Sequence, residues 1–408
     1  MLLRSVLLRH ISLVKKRVMS QFHIKISTLS SWIRDQDEER GDTEEEYEEP
    51  YADVPRPAKK WQRKPYPTPV KELIRRAKEE KRARQKSPCR LLENAPENGL
   101  LVPDLIEVAY QVYNANGILL LGLSKLVDGD SAIPVKKCRF CSEVHIGHHG
   151  HEIRSCEGKE SGSRNSFHVW TRGGIRDIVG FPYCYHLFDR VGKPRIGHKE
   201  RFGIPRLPAI TELCVQAGLA LDDYPTKRRT KPVYSIEGRI VDFEPETEEN
   251  VTVERNYNQA HLHKKHEEEM TRAEWSQRTL QAWFEMRLGA KKIMKKYSVW
   301  TCGYCPEVQV GPKGHKVRMC KAVKHQFRDG QHAWQEATIE DLIRPNYVWH
   351  VRSPDGPPLS NELKRYYGKA PAIVELCVQA GACVPEQYRS MMRLDVIPPE
   401  LDEHDLVA

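Results

Sequence analysis

The stretch from residue 138 to residue 156, "CRFCSEVHIGHHGHEIRSC", carries three cysteines and four histidines in nineteen positions. Cysteine thiolates and histidine imidazoles are the groups that bind structural zinc, and four of them placed tetrahedrally hold one ion. The density of cysteine and histidine in this stretch predicts a metal site within a small module. It leaves open which of the seven side chains are the ligands.

A second copy of this stretch narrows that choice. "CGYCPEVQVGPKGHKVRMC" (302–320) aligns with it without a gap at an offset of 164 residues. Three further pairs match at this offset or at one residue less: "HVW" (168–170) with "HAW" (332–334), "YCYH" (183–186) with "YVWH" (347–350), and "PAITELCVQAG" (208–218) with "PAIVELCVQAG" (371–381). An internal repeat of this length indicates two homologous modules in one chain.

Residues retained in both copies are the candidate ligands. Three histidines of the first copy are replaced in the second: His145, His148 and His149, opposite Gln309, Pro312 and Lys313. The compact pattern that remains, C-x2-C-x9-H-x4-C, predicts one zinc ion per module and two per chain, held by Cys138, Cys141, His151 and Cys156 and by Cys302, Cys305, His315 and Cys320. The repeated histidines that stay open as alternative fourth ligands are His168, His186, His332 and His350.

The composition of the whole chain limits its class. The 408 residues carry a formal net charge of +9, which favours a polyanionic partner such as nucleic acid. The eleven cysteines fall partly in metal-like clusters, which indicates a reducing compartment rather than a disulfide framework. No stretch is apolar enough to span a bilayer, so we expect no membrane partner.

The pattern of charge divides the chain into six segments. Residues 1–34 contain seven basic and no acidic residues, with apolar residues at helical spacing, which predicts an organelle transit peptide, most simply a mitochondrial one. We expect an α+β fold of two homologous, small, zinc-stabilised modules joined by a charged helical linker. The remaining predicted segments are a disordered region (35–96), the first module (97–222), the linker (223–271), the second module (272–386) and a loosely ordered tail (387–408).

Basic residues surround both predicted zinc sites and are interleaved with aromatic residues. Such a surface fits RNA, because lysine and arginine bind phosphates and aromatic rings stack on unpaired bases. We expect Trp170 and Trp334 to be core residues instead. The residues predicted to bind RNA are Arg139, Arg154, Arg164, Arg172, Arg176, Lys199 and Arg201 in the first module and Lys313, Lys316, Arg318, Lys321, Lys324 and Arg328 in the second.

The doubled motif, together with the lead-in "GILLLGLSKLVDGDSAIPVKKCRFC" (117–141), resembles the APO domain of plant organelle proteins, which is named for accumulation of photosystem one. The resemblance covers about residues 100–222 and 272–386. It implies a plant RNA-binding protein that assists splicing of group II introns through zinc-finger-like modules, together with other organellar splicing factors. Members of the family divide between mitochondrion and chloroplast, and the arginine-rich start resembles the mitochondrial branch, with the chloroplast as the alternative.

The predicted activity is binding without catalysis. The chain has no phosphate-binding loop, dinucleotide fingerprint or nucleophile elbow. Two modules on one chain would bind RNA with avidity beyond that of either alone. Two other functions remain: a metal-dependent nuclease acting on RNA, and a zinc scaffold for protein partners in a splicing complex. The candidate bases of the nuclease are the repeated acidic pairs Glu143/Glu307 and Asp177/Asp341.

Overall fold

A computed structural model describes residues 70–86, 93–94, 98–128, 132–236, 239–244, 270–322 and 329–397, together with residues 399 and 403. The predicted transit peptide, 1–34, lies outside these residues. The predicted α+β class is confirmed, because helices alternate with small antiparallel sheets. Within the described residues, no helix has both the length and the apolar character needed to cross a membrane.

Helices and strands follow the same order in the two repeats. The helices are α1 (Val70–Lys86), α2 (Pro103–Asp128), α3 (Ile175–Ile178), α4 (Ala209–Ala217), α5 (Arg272–Met294), α6 (Ile339–Leu342) and α7 (Ala372–Gln379). The strands are β1 (Glu93–Asn94), β2 (Val135–Cys138), β3 (Val144–Ile146), β4 (Trp170–Arg172), β5 (Val179–Gly180), β6 (Tyr183–Tyr185), β7 (Arg206–Pro208), β8 (Tyr234–Ile236), β9 (Arg239–Val241), β10 (Val299–Cys302), β11 (Val308–Val310), β12 (Trp334–Glu336), β13 (Arg344–Pro345), β14 (Tyr347–Trp349) and β15 (Lys369–Pro371).

Each repeat opens with a long helix and a three-stranded antiparallel sheet that carries the cysteine motif. The strand orders are β3-β2-β4 and β11-β10-β12. The register places Cys138 opposite Trp170, and Cys302 opposite Trp334. Because the histidine of the H-x-W motif lies two residues before that tryptophan, the sheet brings it close to the first cysteine of the repeat.

The second half of each repeat is a two-stranded ladder followed by a short helix. β6 pairs with β7 before α4, and β14 pairs with β15 before α7. Pro208 precedes α4, and Gly218 follows it at a φ of +126°, positions at which proline and glycine commonly bound a helix. Cys214 on α4 is fully buried, as expected for a core thiol.

The second half of each repeat packs on the first half of the other repeat, within one common core. We call this arrangement the exchange of halves. β3 contacts β14 and α7 of the second repeat, while β11 contacts β6 and α4 of the first. Gly180 pairs with Arg344, its own equivalent in the other repeat, as residues on an approximate twofold axis do. A single buried cluster spans both repeats, so the described residues between 98 and 397 form one body rather than two separate modules.

The two long helices α2 and α5 cross closely near this axis. A Cβ atom added at Gly122 would lie 1.8 Å from the Thr279 hydroxyl oxygen, so only glycine permits this contact. Helix α2 runs unbroken through Asn114–Gly117, although asparagine and glycine are poor helix formers. Packing of α2 against α5 stabilises the helix despite the local glycine.

Several segments outside the predicted modules are folded. Helix α1 and strand β1 lie in the region 35–96 that we expected to be disordered. β8 and β9, from the predicted linker, form a sheet with β1, and the buried Arg229 joins Asp189 and Asp242 at 2.6 and 2.8 Å. In the predicted tail, Met392 is fully buried. The β1-β8-β9 sheet and the segment around Met392 are therefore part of the folded structure, whereas most described residues of α1 are exposed.

Candidate functional site

Two groups of four metal-binding side chains are formed among the described residues. Cys138, Cys141, Cys156 and His168 make up the first cluster, and Cys302, Cys305, Cys320 and His332 the second. In each cluster the ligand atoms all lie within 4.8 Å of one another. The six repeated cysteines of the motif thus converge as the sequence predicts.

The C-x2-C turn presents its two thiols from a tight knuckle between β2 and β3. Cys138 N donates to Glu143 O over 2.9 Å, which closes the turn. The backbone N–H groups of Phe140 and Glu143 point at the sulfur atoms of Cys138 and Cys141, at 3.4 and 3.5 Å. Such N–H···S contacts favour thiolates, because they place positive partial charge beside the sulfur.

The fourth member of each cluster differs from the compact pattern that the sequence suggested first. His168 Nδ1 lies 3.4 Å from Cys141 Sγ, and His332 Nδ1 lies 3.3 Å from Cys305 Sγ. Neither His151 nor His315 is in a cluster. The geometry therefore favours the alternative ligands of the H-x-W motif.

His151 and His315 are repeated for a different physical reason. The His151 ring packs edge-on against His168, with centroids 4.9 Å apart, and its carbonyl accepts a hydrogen bond from Trp170 Nε1 at 3.2 Å. His315 makes the same contacts with His332 and Trp334. Each buried histidine therefore supports the ring that completes the cluster.

Glycine before each supporting histidine allows this tryptophan contact. A Cβ atom at Gly150 or at Gly314 would lie 2.2 Å from the ring of Trp170 or Trp334. Gly147, three residues earlier, has a φ of +140°, which is the position where the turn needs glycine. The repeated glycines thus have two distinct uses.

The other pair of alternative ligands lies away from the clusters. His186 Nδ1 lies 2.8 Å from Glu212 Oε2, and its Nε2 lies 2.8 Å from Pro225 O. His350 Nδ1 likewise lies 2.8 Å from Glu375 Oε2. These buried pairs tie the β6 and β14 ends to helices α4 and α7. The alternatives His186 and His350 are therefore structural in this fold.

A buried carboxylate sits beside each cluster and is neutralised from the other repeat. Lys369 Nζ lies 3.2 Å from Glu143 Oε1, and Arg206 Nη2 lies 2.7 Å from Glu307 Oε1. Burial disfavours the charged carboxylate of Glu143, but the neighbouring His151 and Lys369 outweigh it and lower the pKa to about 2. The sequence comparison missed these cross-repeat pairs, although all four positions are repeated.

The donor set and its spacing fit a tetrahedral zinc ion. Zinc–sulfur bonds of about 2.3 Å require sulfur atoms roughly 3.8 Å apart. Cys138 Sγ and Cys156 Sγ are 4.0 Å apart. Burial and the adjacent His151 lower the pKa of His168 to about 4, so its imidazole is neutral at pH 7, as a metal ligand must be. Ser155 Oγ, 3.1 Å from His168 Nε2, orients that ring with Nδ1 toward the thiols.

Most of the residues predicted to bind RNA lie on the surface. Lys324 and Arg328 fall outside the described residues, and Arg164 and Arg201 are half-buried. The Arg164 guanidinium covers the Phe140 ring at 3.9 Å and lies 3.8 Å from Cys156 Sγ, so it also shields a thiol. The exposed members are Arg139, Arg154, Arg172, Arg176, Lys199, Lys313, Lys316, Arg318 and Lys321.

Because the repeats exchange halves, each cluster is flanked by basic residues of both repeats. Lys199 and Arg201 belong to the first repeat, yet their segment packs on the second zinc loop: Arg318 N donates to His198 Nδ1 over 3.1 Å, and Arg195 Nε donates to Gly314 O over 2.7 Å. We name the region formed by residues 196–202 and 313–321 the second composite surface. Its counterpart, the first composite surface, combines residues 152–156 with 359–365, and there Arg154 N donates to Asn361 Oδ1 over 3.0 Å.

Comparisons with known proteins agree with this architecture. No solved structure matches the chain significantly. "APO protein 3, mitochondrial" of Arabidopsis thaliana is 60% identical, over 88% of this chain and 90% of the relative. Two other proteins of that plant, "APO protein 2, chloroplastic" and "APO protein 1, chloroplastic", are 45% and 40% identical over 87% and 88% of this chain and 82% and 83% of their own lengths. The mitochondrial prediction is confirmed by the higher identity to the mitochondrial relative.

The family model described as APO RNA-binding matches residues 38–242 and 273–398, which include both clusters and both composite surfaces. The second match continues past residue 386 into the folded part of the predicted tail. The repeated motif, the extent of these matches and the identity to three relatives lead to one assignment. The chain belongs to the APO RNA-binding family.

Proposed function

We propose that the protein is a zinc-dependent RNA-binding protein of plant mitochondria that assists splicing of group II introns and does no catalysis itself. The observation that carries the proposal is the position of the two Cys3His clusters, each beneath a basic surface built by both repeats. RNA binding follows from the family, and the splicing role rests on the resemblance stated from the sequence. Other organellar splicing factors would be its protein partners.

Each cluster would hold one zinc ion, which supplies a crosslink between the knuckle, the loop and the H-x-W strand. The ligand set proposed for the two ions is Cys138, Cys141, Cys156 and His168, and Cys302, Cys305, Cys320 and His332. With all four positions taken by protein side chains, such a site is closed, which is typical of structural rather than catalytic zinc. This favours a binding protein over a nuclease.

The candidate general bases of a nuclease have other roles in this fold. Asp177 and Asp341 cap helices α3 and α6, where their Oδ2 atoms accept hydrogen bonds from Gly174 N over 2.9 Å and Thr338 N over 3.0 Å. Glu143 and Glu307 are each committed to an ion pair with a basic residue of the opposite repeat. Against the effect of burial, His151 and Lys369 lower the pKa of Glu143, which makes that carboxylate a poor proton acceptor. We therefore favour RNA binding as the function.

The proposal is tested on the full chain by metal analysis and RNA binding together. The parent should contain about two zinc ions per chain, as the two clusters predict, and should bind intron RNA with an affinity that falls as salt rises. The double variant Cys138→Ser with Cys302→Ser should lose both zinc and RNA affinity. Zinc without RNA binding in the parent would instead support a scaffold for protein partners.

A second experiment separates splicing from general RNA binding. Plants that lack the protein should accumulate unspliced precursors of some mitochondrial group II introns while the levels of intronless transcripts stay constant. Incubation of labelled intron RNA with the purified protein and Mg²⁺ should give no cleavage products. Cleavage that is lost on metal removal would favour the nuclease instead.

A further inference from the structure

The second composite surface carries an exposed aromatic residue that core packing does not explain. Phe202 is 82% exposed, although phenylalanine is usually buried. It ends a short 3-10 turn, Glu200–Phe202, which also contains Arg201. Lys199 precedes this turn, and Gly203 follows it. The ring thus projects from a basic surface rather than from an apolar patch.

The turn that presents Phe202 is held firmly. Gly197 N donates to Glu200 Oε2 over 2.8 Å, and Gly203 N donates to Glu200 O over 3.1 Å. The Arg201 guanidinium lies 4.0 Å from the Phe202 ring centroid, which steadies one face of the ring by a cation–π contact. Glu200 is neutralised within this turn by Lys193, at 2.8 Å, so the charge presented around the ring is positive.

The same segment is anchored to the other repeat beside the second cluster. Lys316 N donates to Ile196 O over 2.8 Å, and Ile196 packs with Val317 in a small buried group. This contact brings the exposed Lys316 alongside the turn that carries Lys199, while the neighbouring Arg318 forms an ion pair with Asp329. The phosphate backbone of an RNA strand that crosses this surface would therefore contact cations contributed by both repeats.

The first composite surface lacks this aromatic residue. The position equivalent to Phe202, at an offset of 163, is Arg365, which lies over the Tyr366 ring at 4.9 Å. The two surfaces consequently offer different chemistry: an arginine beside the half-buried Tyr366 at this position in the first, and a cation-flanked, exposed aromatic ring in the second. A stacking ring among phosphate-binding cations is the usual arrangement for unpaired nucleotides.

We propose that the second composite surface binds single-stranded RNA by stacking an unpaired base on Phe202, while Lys199 and Lys316 bind the adjoining phosphates. The inference rests on the proposed RNA-binding function and specifies the RNA that this surface takes. In a duplex the bases are stacked on each other and offer no face to the ring. Phe202 therefore distinguishes unpaired from paired RNA.

The test compares two probes with the full chain: a fluorescent twelve-nucleotide oligouridylate and a fully paired RNA duplex of the same length. Phe202→Ala should weaken binding of the single strand about tenfold, the loss typical of one base–aromatic stack, and change duplex binding by less than about twofold. Phe202→Trp, which keeps an aromatic face, should retain single-strand affinity. Phe188→Ala, at a 57% exposed phenylalanine outside this surface, is the matched control and should leave both affinities unchanged.

The outcomes separate this inference from the proposed function. A parent chain that binds neither probe would contradict RNA binding itself. A parent that binds both, with Phe202→Ala unchanged or weakened equally on both probes, would overturn only the stacking role of Phe202. Zinc content and the unfolding midpoint of each variant are measured alongside, and the tryptophan variant keeps the test decisive if the alanine variant is poorly folded.

Discussion

Lys369 Nζ reaches across the repeat boundary to within 3.2 Å of Glu143 Oε1, and Arg206 reaches Glu307 at the equivalent place in the other direction. Each pair joins the C-x2-C knuckle of one cluster to the two-stranded ladder that precedes the last helix of the other repeat. These contacts couple the two clusters to a common core. Removal of either cation would leave the paired carboxylate without a counter-charge.

Lys369→Met should therefore lower the free energy of unfolding by about 3 kcal/mol, because it strands the buried Glu143 carboxylate. Adding Glu143→Gln should restore part of the loss. The control is Arg172→Met, which removes an exposed partner 4.0 Å from Asp128 and should change stability by less than about 1 kcal/mol. Urea unfolding measures all three, and equal effects of Lys369→Met and Arg172→Met would contradict the buried pair.

The choice of the fourth ligand predicts a difference between neighbouring histidines. His168→Ala should reduce the zinc content from about two ions per chain to one, since it removes a ligand of the first cluster. His151→Ala should lower stability but leave the zinc content near two, because His151 packs on His168 and lies 3.8 Å from Glu143 but is not a member of the cluster. Elemental analysis of the dialysed proteins decides the matter. Zinc loss in His151→Ala alone would restore the compact ligand pattern.

Exchange of halves predicts that damage to one cluster spreads to the other repeat. In Cys138→Ser, amide hydrogen exchange should accelerate in residues 347–371, because β14 and the segment after it pack on the first zinc sheet. Residues 196–207, which pack on the second, should keep their protection. Faster exchange confined to the second half of the first repeat itself would argue for two separate modules.

The crossing of the long helices gives opposite expectations for two glycines of α2. Gly122→Ala should destabilise the protein by about 2 kcal/mol, since the new methyl group collides with Thr279. Gly117→Ala, on the exposed side with no atom within 4 Å of the added Cβ, should stabilise it by about 0.5 to 1 kcal/mol through helix propensity. Thermal unfolding of the pair measures the contrast, and equal effects would contradict the close crossing.

His186 predicts a pH dependence of stability. Burial alone would lower its pKa, but the Glu212 carboxylate outweighs burial and raises the pKa above its usual 6.5. Both ring nitrogens face oxygen acceptors, so the protonated ring is the form that the folded protein prefers. This stabilisation is complete below pH 6.5 and is lost as pH rises through the folded-state pKa.

The unfolding midpoint should therefore fall between pH 6.5 and pH 9 in the parent and fall less in His186→Gln, which has no ionisable ring. Calorimetry at constant zinc and ionic strength measures both slopes. Identical slopes in parent and variant would show that His186 does not titrate over this range.

Much of the site was accessible from the sequence because two copies could be compared. Retention of six cysteines in both copies indicated the thiols that the structure brings together in the two clusters. The fourth ligand could not be identified in this way, because His151 and His168 are both retained. Only the pairing of Cys138 with Trp170 shows which histidine the sheet brings to the thiols.

The exchange of halves could not be predicted from the repeated sequence. An alignment shows which residues resemble each other, and carries no information on which of them touch. The predicted position of Lys199 and Arg201 near the first site followed chain order, and the structure places their segment at the second. The buried Glu212 was also unexpected, since a carboxylate on an apolar helix face is normally exposed; its pairing with His186 accounts for it.

The pairing of Gly180 with Arg344, its own counterpart, has an evolutionary consequence. A chain with a single repeat would leave its zinc sheet uncovered, and two copies could cover each other as a symmetric homodimer. Tandem duplication of such a gene would yield the present arrangement within one polypeptide. In a homodimer every substitution appears twice, whereas after fusion each half mutates alone. Equivalent positions of the two repeats can therefore differ, as Phe202 in the first repeat and Arg365 in the second do.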